Sequence, residues 1–247
     1  LTIDSSLVWS GGAMQGSGAT TVANTASLSF SGSPSLTTRT FTNQSPSGVW
    51  SGAGTLDVGG TFNNAGTLVA TGDGIVRSNS GTGIFNNSGV FRKSGTTGST
   101  TFNTSFGMTV NNLAGGTIDV QSGTVQLSPT TFNNNGVVNV AAGAVMNINN
   151  TGTAGSGAGD YTIAGTVNLT NGVQGFNAGA DISGTGAFRV AGGTMTVNAP
   201  MSADNLQLVS GLINGGASAA DVLTIDSSLV WSGGAMQGSG ATTVANT

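Results

Sequence analysis

A short phrase, an apolar residue followed by two asparagines, recurs along this chain at nearly constant spacing. Its copies begin at Phe62, Phe85, Val110 and Phe132. A unit that returns at such a period is typical of solenoid proteins, in which each copy is one coil and the coils stack. The spacing therefore predicts a solenoid with about 22 residues per coil.

The segments between these phrases alternate polar and apolar residues, which is the pattern of short β-strands. Clear examples are Thr117–Val120, Thr124–Leu127, Val137–Val140, Thr166–Leu169 and Thr194–Val197. The pairs Asn135-Gly136, Asn171-Gly172 and Asn214-Gly215 mark turns. Taken alone, these turns also fit hairpins in an antiparallel sandwich. The coil period favours an all-β chain folded as a right-handed parallel β-helix.

The composition agrees with strands and turns rather than helices or disorder. The chain contains 43 glycines among 247 residues, no glutamate and one lysine, Lys93. Helix formers are therefore scarce. Charged residues make up only 6% of the chain, apolar residues 37%, and the net charge is −4, whereas disordered chains combine high charge with low hydrophobicity. We expect the chain to fold.

A much longer repeat encloses the coil repeat. Residues 1–25 recur letter for letter as residues 223–247. Residues 1–222 are therefore interpreted as one solenoid unit, and residues 223–247 as the start of the next identical tandem unit. Neither end carries an atypical capping sequence, so we expect the end of one unit to stack under the start of the next.

The residue inventory excludes several kinds of chemistry. Without Cys or His, the chain has no disulfides, no thiolate or imidazole metal ligands, and no Ser-His-Asp or Cys-His catalytic group. Its five basic residues are too few for a nucleic-acid partner. No apolar run reaches the roughly 18 residues of a membrane helix, so membrane insertion is not expected.

A pair of carboxylates, as in glycoside hydrolysis, is the one catalytic arrangement that this residue composition allows. Only Asp160, Asp181 and Asp204 are spaced close to one coil apart, so that they could fall on neighbouring coils in similar register. Asp residues that cap turns are the commoner explanation of such a spacing. We therefore expect no catalytic residues, no enzyme activity and no cofactor. The segments around Asp73 and Asp160 lack the glycine spacing of calcium β-rolls, so no metal site is expected.

The repeated residues are interpreted as internal structure. Phe62, Phe85 and Phe132, with Val110 in register, should form a stack inside the solenoid. Each Asn pair should form a ladder of amide hydrogen bonds at a turn. Trp9, Trp50 and Trp231, each in a Val-Trp-Ser-Gly phrase, should pack on the inner stack rather than serve as exposed sugar platforms.

Three phrases resemble the repeats of bacterial autotransporter passengers, of filamentous-haemagglutinin-like adhesins and of very long surface repeat proteins. They lie at residues 50–58, 62–68 and 184–190, and read WSGAGTLDV, FNNAGTL and GTGAFRV. The resemblance implies a secreted β-helix that holds an adhesive tip away from the cell, or a sheath or filament component. Such stalks have no functional residues fixed in sequence, so none carries over.

We therefore expect a structural component of an extracellular fibre, sheath or adhesin stalk at the cell surface. Its expected partners are neighbouring repeat units, end to end, with surface glycans as a further candidate. The alternative is a carbohydrate-binding or polysaccharide-processing β-helix.

Overall fold

A computed structural model describes residues 1–78, 81–104 and 106–245 of the chain. All regular elements among these residues are β-strands, and all of their pairings are parallel. The chain winds through about 11 turns of about 21 residues each. The prediction of an all-β solenoid of stacked parallel strands is therefore confirmed, with a coil slightly shorter than expected. No membrane-spanning helix occurs in the described part of the chain.

Each coil contributes one strand to each of three faces, which the chain visits in the order face 1, face 2, face 3. Face 1 carries the asparagine pairs. Its strands are Thr2–Ile3, Ala19–Val22, Thr40–Asn43, Thr61–Asn64, Gly83–Asn87, Met108–Asn112, Thr131–Asn134, Gly155–Gly157, Val173–Phe176, the second half of Ala187–Val197, the end of Met201–Asn214, and Ala235–Gln237.

Faces 2 and 3 complete the coils. Face 2 consists of Ser6–Trp9, Ser27–Phe30, Gly48–Trp50, Thr67–Ala70, Val90–Lys93, Thr117–Val120, Val137–Val140, Asp160–Ile163, Asp181–Ser183, the start of Met201–Asn214, the start of Leu223–Trp231, and Thr242–Val244. Face 3 consists of Ala13–Met14, Ser35–Leu36, Thr55–Val58, Ile75–Ser78, Ser99–Thr104, Thr124–Ser128, Val145–Asn149, Thr166–Asn171, the first half of Ala187–Val197, the middle of Met201–Asn214, and the end of Leu223–Trp231.

Most strands are four or five residues long and alternate between inward and outward side chains. In Thr67–Ala70, for example, Leu68 and Ala70 are buried, whereas Thr67 and Val69 are only partly covered. Stacking the coils joins the inward side chains into one continuous apolar column along the axis. Because each coil can bury its inward residues only against the next, stability depends on contacts between neighbouring coils.

Three Gly-x-Gly phrases, at residues 52–54, 81–83 and 184–186, mark corners where successive coils approach closely. The first glycine of each of these three phrases, Gly52, Gly81 or Gly184, has a positive φ. The second glycine faces backbone of the preceding coil: a β-carbon at Gly54 would lie 1.5 Å from the Gly32 carbonyl oxygen. In these three phrases the first glycine is therefore required for its positive φ, and the second because the neighbouring coil leaves no space for a β-carbon.

The phenylalanines of the repeated phrase stack inside the solenoid, as the sequence predicts. Phe62 pairs with Phe85, and their rings are 5.2 Å apart and nearly parallel. Val110 follows in register between Phe85 and Phe132, and all four side chains are buried. Phe41 extends the stack by one coil, with its ring 5.1 Å from that of Phe62.

The asparagine ladders form, but their predicted location in turns is wrong, because both asparagines of each pair belong to the strands of face 1. The second asparagine points inward and the first outward. The inner amide ladder runs through Asn43, Asn64, Asn87, Asn112 and Asn134, with each Nδ2 donating to the Oδ1 of the next at 2.8 Å. Since an unpaired amide in this column would be costly, the ladder fixes the register of neighbouring coils.

The outer amide ladder runs in the opposite sense. Asn86 donates to Asn63, Asn111 to Asn86 and Asn133 to Asn111, each at 2.9 Å, so every outer amide donates back towards the preceding coil. These side chains are partly exposed. Face 1 therefore presents a row of amides at the coil spacing, about 4.8 Å.

Candidate functional site: the two ends of the solenoid

The three candidate acids do not form a catalytic cluster. Asp160 and Asp181 occupy aligned positions on consecutive coils of face 2, each just before the paired residues Tyr161 and Ile182. Asp181, however, lies opposite Ser202, and Asp204 is displaced from that row. The Asp204 carboxylate accepts the Gly184 backbone N–H at 2.7 Å. Asp160 and Asp181 therefore share a register that Asp204 does not, and Asp204 caps the turn at Gly184.

Three further acids form ion pairs with bases on the neighbouring coil. Arg77 contacts Asp57 at 2.6 Å, and Arg92 contacts Asp119 at 2.7 Å. Both pairs point outward and are partly exposed, so each contributes about 1 kcal/mol or less. No group of three acidic side chains that could hold a metal ion occurs among residues 1–78, 81–104 and 106–245.

The third ion pair contains the single lysine of the chain, whose burial the sequence did not predict. Lys93 stands at an inward position of face 2, between Ala70 and Val120, and its side chain is fully buried. Its Nζ donates to the Gly72 carbonyl oxygen at 2.7 Å, to Asp73 Oδ1 at 2.8 Å and to the Thr96 hydroxyl. The hydrogen bond from Lys93, followed by that from Thr96, holds the pKa of Asp73 below its usual value.

This ion pair predicts a pH-dependent contribution to stability. Because the pKa of Asp73 is lower in the folded chain, the pair stabilises the fold above pH about 4 and loses that effect as the pH falls further. Asp73→Asn is therefore expected to lower the midpoint of urea unfolding at pH 7, and this difference should shrink as the pH falls below about 4. The control is Lys93→Met combined with Asp73→Asn, which removes the buried charge and should recover part of the loss. A midpoint difference independent of pH would contradict the assignment.

The inner amide ladder ends at Asn134, because the next coil carries Gly157 above that position. The neighbouring column contains Tyr161, whose ring is buried and whose hydroxyl has no hydrogen-bond partner among the described residues. Burial raises the pKa of this hydroxyl, an effect that the nearby Asn134 side chain offsets only in part. Tyr161 is thus a packing residue that stays neutral at physiological pH.

The first copy of the long repeat is covered by the coil that follows it. Trp9 is only 5% exposed because its indole packs against Phe30 and Phe41, with ring centroids 5.6 Å away in both cases. Val22 is fully buried as well. Leu1, in contrast, is 74% exposed.

The second copy has the opposite exposure. Leu223 and Ile225, which correspond to Leu1 and Ile3, are buried on Met201 and Ala203 of the preceding strand. Trp231 is 57% exposed and Val244 52% exposed, although their counterparts Trp9 and Val22 are buried. The prediction that the tryptophans pack on the inner stack is confirmed for Trp9 and Trp50 and is wrong for Trp231.

The first and last strands of the two copies nevertheless pair in the same register. Thr2 and Ile3 pair with Thr21 and Val22. Their counterparts in the second copy, Thr224 and Ile225, pair in the same register with Thr243 and Val244. Residues 246–247 of the second copy lie outside the described residues. The copies differ in which coil covers them. The first copy is covered by the coil that follows it in the chain, and the second copy is covered by the coil that precedes it.

The repeated segment, whose two copies pack against neighbouring coils on opposite sides, is therefore the candidate functional site. Comparison with models of protein families, with curated proteins and with solved structures finds no match to this chain.

Proposed function

We propose that this chain is a structural segment of a secreted, extracellular fibre, sheath or adhesin stalk, in which tandem units equivalent to residues 1–222 stack end to end. The observation that carries the proposal is the reciprocal burial of the two copies of residues 1–25. If the residues that follow the first copy also followed the second copy, they would cover Trp231 and Val244. The residues that precede the second copy would cover Leu1 in the same way.

The chemistry of the end surfaces supports this assembly. An uncovered end coil exposes both unpaired strand edges and the open end of the apolar column, and such edges attract further strands. A neighbouring unit with identical sequence supplies the strands, the register and the apolar side chains that complete the coil. The partner that fits best is therefore another unit of the same protein.

The side surfaces fit a structural role. Asp57, Asp73 and Asp119 are neutralised by bases on adjacent coils, and Asp204 caps a backbone amide. In this proposal these acids hold the coils together, and they take no part in catalysis. The polar outward rows keep the sides of the fibre soluble, so that assembly is directed to the ends.

The test compares two tryptophans with the same sequence surroundings. In the chain of residues 1–247, Trp9→Ala should lower the free energy of unfolding by about 3–5 kcal/mol, because it leaves a cavity beside Phe30 and Phe41. Trp231→Ala should lower it by about 1 kcal/mol or less, because that side chain is largely exposed. Urea unfolding followed by circular dichroism measures both.

The same substitution is then made in a chain that carries a complete second unit. Trp231→Ala should now cost about as much as Trp9→Ala, since residues equivalent to Phe30 and Phe41 cover the indole. If the cost at Trp231 stays small in the two-unit chain, the units do not cover one another and the fibre proposal fails.

A further inference from the structure

The two copies of residues 1–25 lie on different faces of the solenoid. Thr2–Ile3 belongs to face 1, where it pairs with Ala19–Val22. Its counterpart, at the start of Leu223–Trp231, belongs to face 2, where it pairs with the start of Met201–Asn214. Following the face 2 pairings back from Leu223 leads to Ser6–Trp9 and not to Thr2–Ile3.

Two other positions show the same displacement. Trp9 lies on face 2, whereas Trp231 lies on face 3, opposite Leu208. Met14 lies on face 3, whereas Met236 lies on face 1, opposite Ile213. Throughout the repeated segment, each residue of the second copy therefore lies one face further forward, in chain order, than its counterpart in the first copy. One unit, from the first copy to the start of the second, contains ten complete coils and one further strand.

The local fold tolerates this change of face because the three faces are built alike. Each face consists of short parallel strands with the same alternation of inward and outward residues. An inward tryptophan can therefore stack on the apolar column from face 2, as Trp9 does, or from face 3, opposite Leu208. The register within the segment is unchanged by the move.

We propose that successive units are turned by one face, a third of a turn, about the solenoid axis, so that orientation recurs only after three units. This inference rests on the proposed end-to-end stacking. The exposed end around Trp231 and Val244 is then a docking surface for the following unit of the same protein in one rotated orientation. With coils about 4.8 Å apart, a unit advances about 50 Å and the three-unit repeat about 150 Å.

The rotation determines what the sides of the fibre display. The outer amide ladder of Asn63, Asn86, Asn111 and Asn133 occupies face 1 of the unit described here. In the next unit the same ladder occupies face 2, and in the third unit face 3. A surface feature encoded once per unit thus points in three directions along the fibre, which makes it accessible to partners from any side.

The test uses a tandem chain of at least six units with one cysteine per unit. The natural sequence has no cysteine, and the outward side chain of Thr162 is exposed in the middle of a face 2 strand. Thr162→Cys is labelled with small gold clusters and viewed by cryo-electron tomography. Neighbouring labels are expected on different sides of the rod, with every third label returning to the same side about 150 Å away.

A second variant shows what two labels on the same side look like. Val49 lies in the same outward row of face 2, five coils before Thr162, and is partly exposed. Adding Val49→Cys should therefore place two labels about 24 Å apart on the same side of each unit. Straight rods whose Thr162 labels all lie along one side would overturn the rotation and leave the fibre proposal standing. Chains that form no continuous rod would overturn both.

Discussion

Phe62→Ala is expected to lower the free energy of unfolding by about 3–5 kcal/mol. The Phe62 ring is fully buried, and its centroid lies 5.1 Å from that of Phe41, 5.2 Å from that of Phe85 and 5.9 Å from that of Phe30. Truncation leaves a cavity that three coils share, and the parallel backbones cannot collapse into it without breaking their pairings. Urea unfolding of the chain of residues 1–247 measures the loss.

The matched control is Phe106→Ala. Phe106 is 63% exposed, so its removal should change the free energy of unfolding by about 0.5 kcal/mol or less. Similar losses for the two variants would mean that the interior stack does not support the coils as described.

Asn87→Ala is expected to cost about 2–4 kcal/mol, although the side chain is polar. The Asn87 amide accepts a hydrogen bond from Asn64 and donates to Asn112 Oδ1 at 2.8 Å and to the Thr117 carbonyl oxygen at 3.0 Å. Alanine removes all three bonds and leaves buried polar atoms on both neighbouring coils with fewer partners. The free energy of unfolding again measures the effect.

Asn86→Ala is the control at the adjacent residue. Asn86 has the same chemistry and the same ladder geometry, but its side chain is partly exposed and water can replace the lost partners. Its loss should be about 1 kcal/mol or less. If Asn86→Ala were as damaging as Asn87→Ala, burial would not be what makes the inner ladder stabilising.

The sequence predicted the architecture because the coil repeat is carried by large residues in a fixed context. Phe62, Phe85, Val110 and Phe132 each precede two asparagines, and that shared context places them in one column. Phe41 was missed because threonine, and not asparagine, follows it. A place in the column requires only the apolar residue and not the two asparagines, so a coil such as that of Phe41 can join the column without the full phrase.

Other features could not be derived from the sequence, for physical reasons. An asparagine pair suits a turn as well as a strand end, and only the backbone pairing between coils distinguishes the two locations. Lys93 is the single lysine and lies outside any repeated phrase. Its burial depends on the hydrogen bonds that its ammonium group donates to Gly72, Asp73 and Thr96.

The change of face between the two copies was hidden by variable coil lengths. Ile3 and Val22 are paired on adjacent coils, and so are Phe85 and Val110, yet the second pair is separated by a longer stretch of chain. Dividing the length of the unit by an average coil therefore cannot distinguish ten coils from ten coils and one strand. Only the chain of pairings from Leu223 back to Ser6–Trp9 decides it.

The central claim, that the units continue one solenoid, is tested most directly by the length of tandem chains. Chains of one, two and three complete units are compared by small-angle X-ray scattering at the same concentration. The account predicts rods whose cross-section stays constant and whose length grows by about 50 Å per unit, because each coil adds about 4.8 Å. A cross-section that changes with unit number, or the scattering of separate domains joined by flexible links, would contradict it.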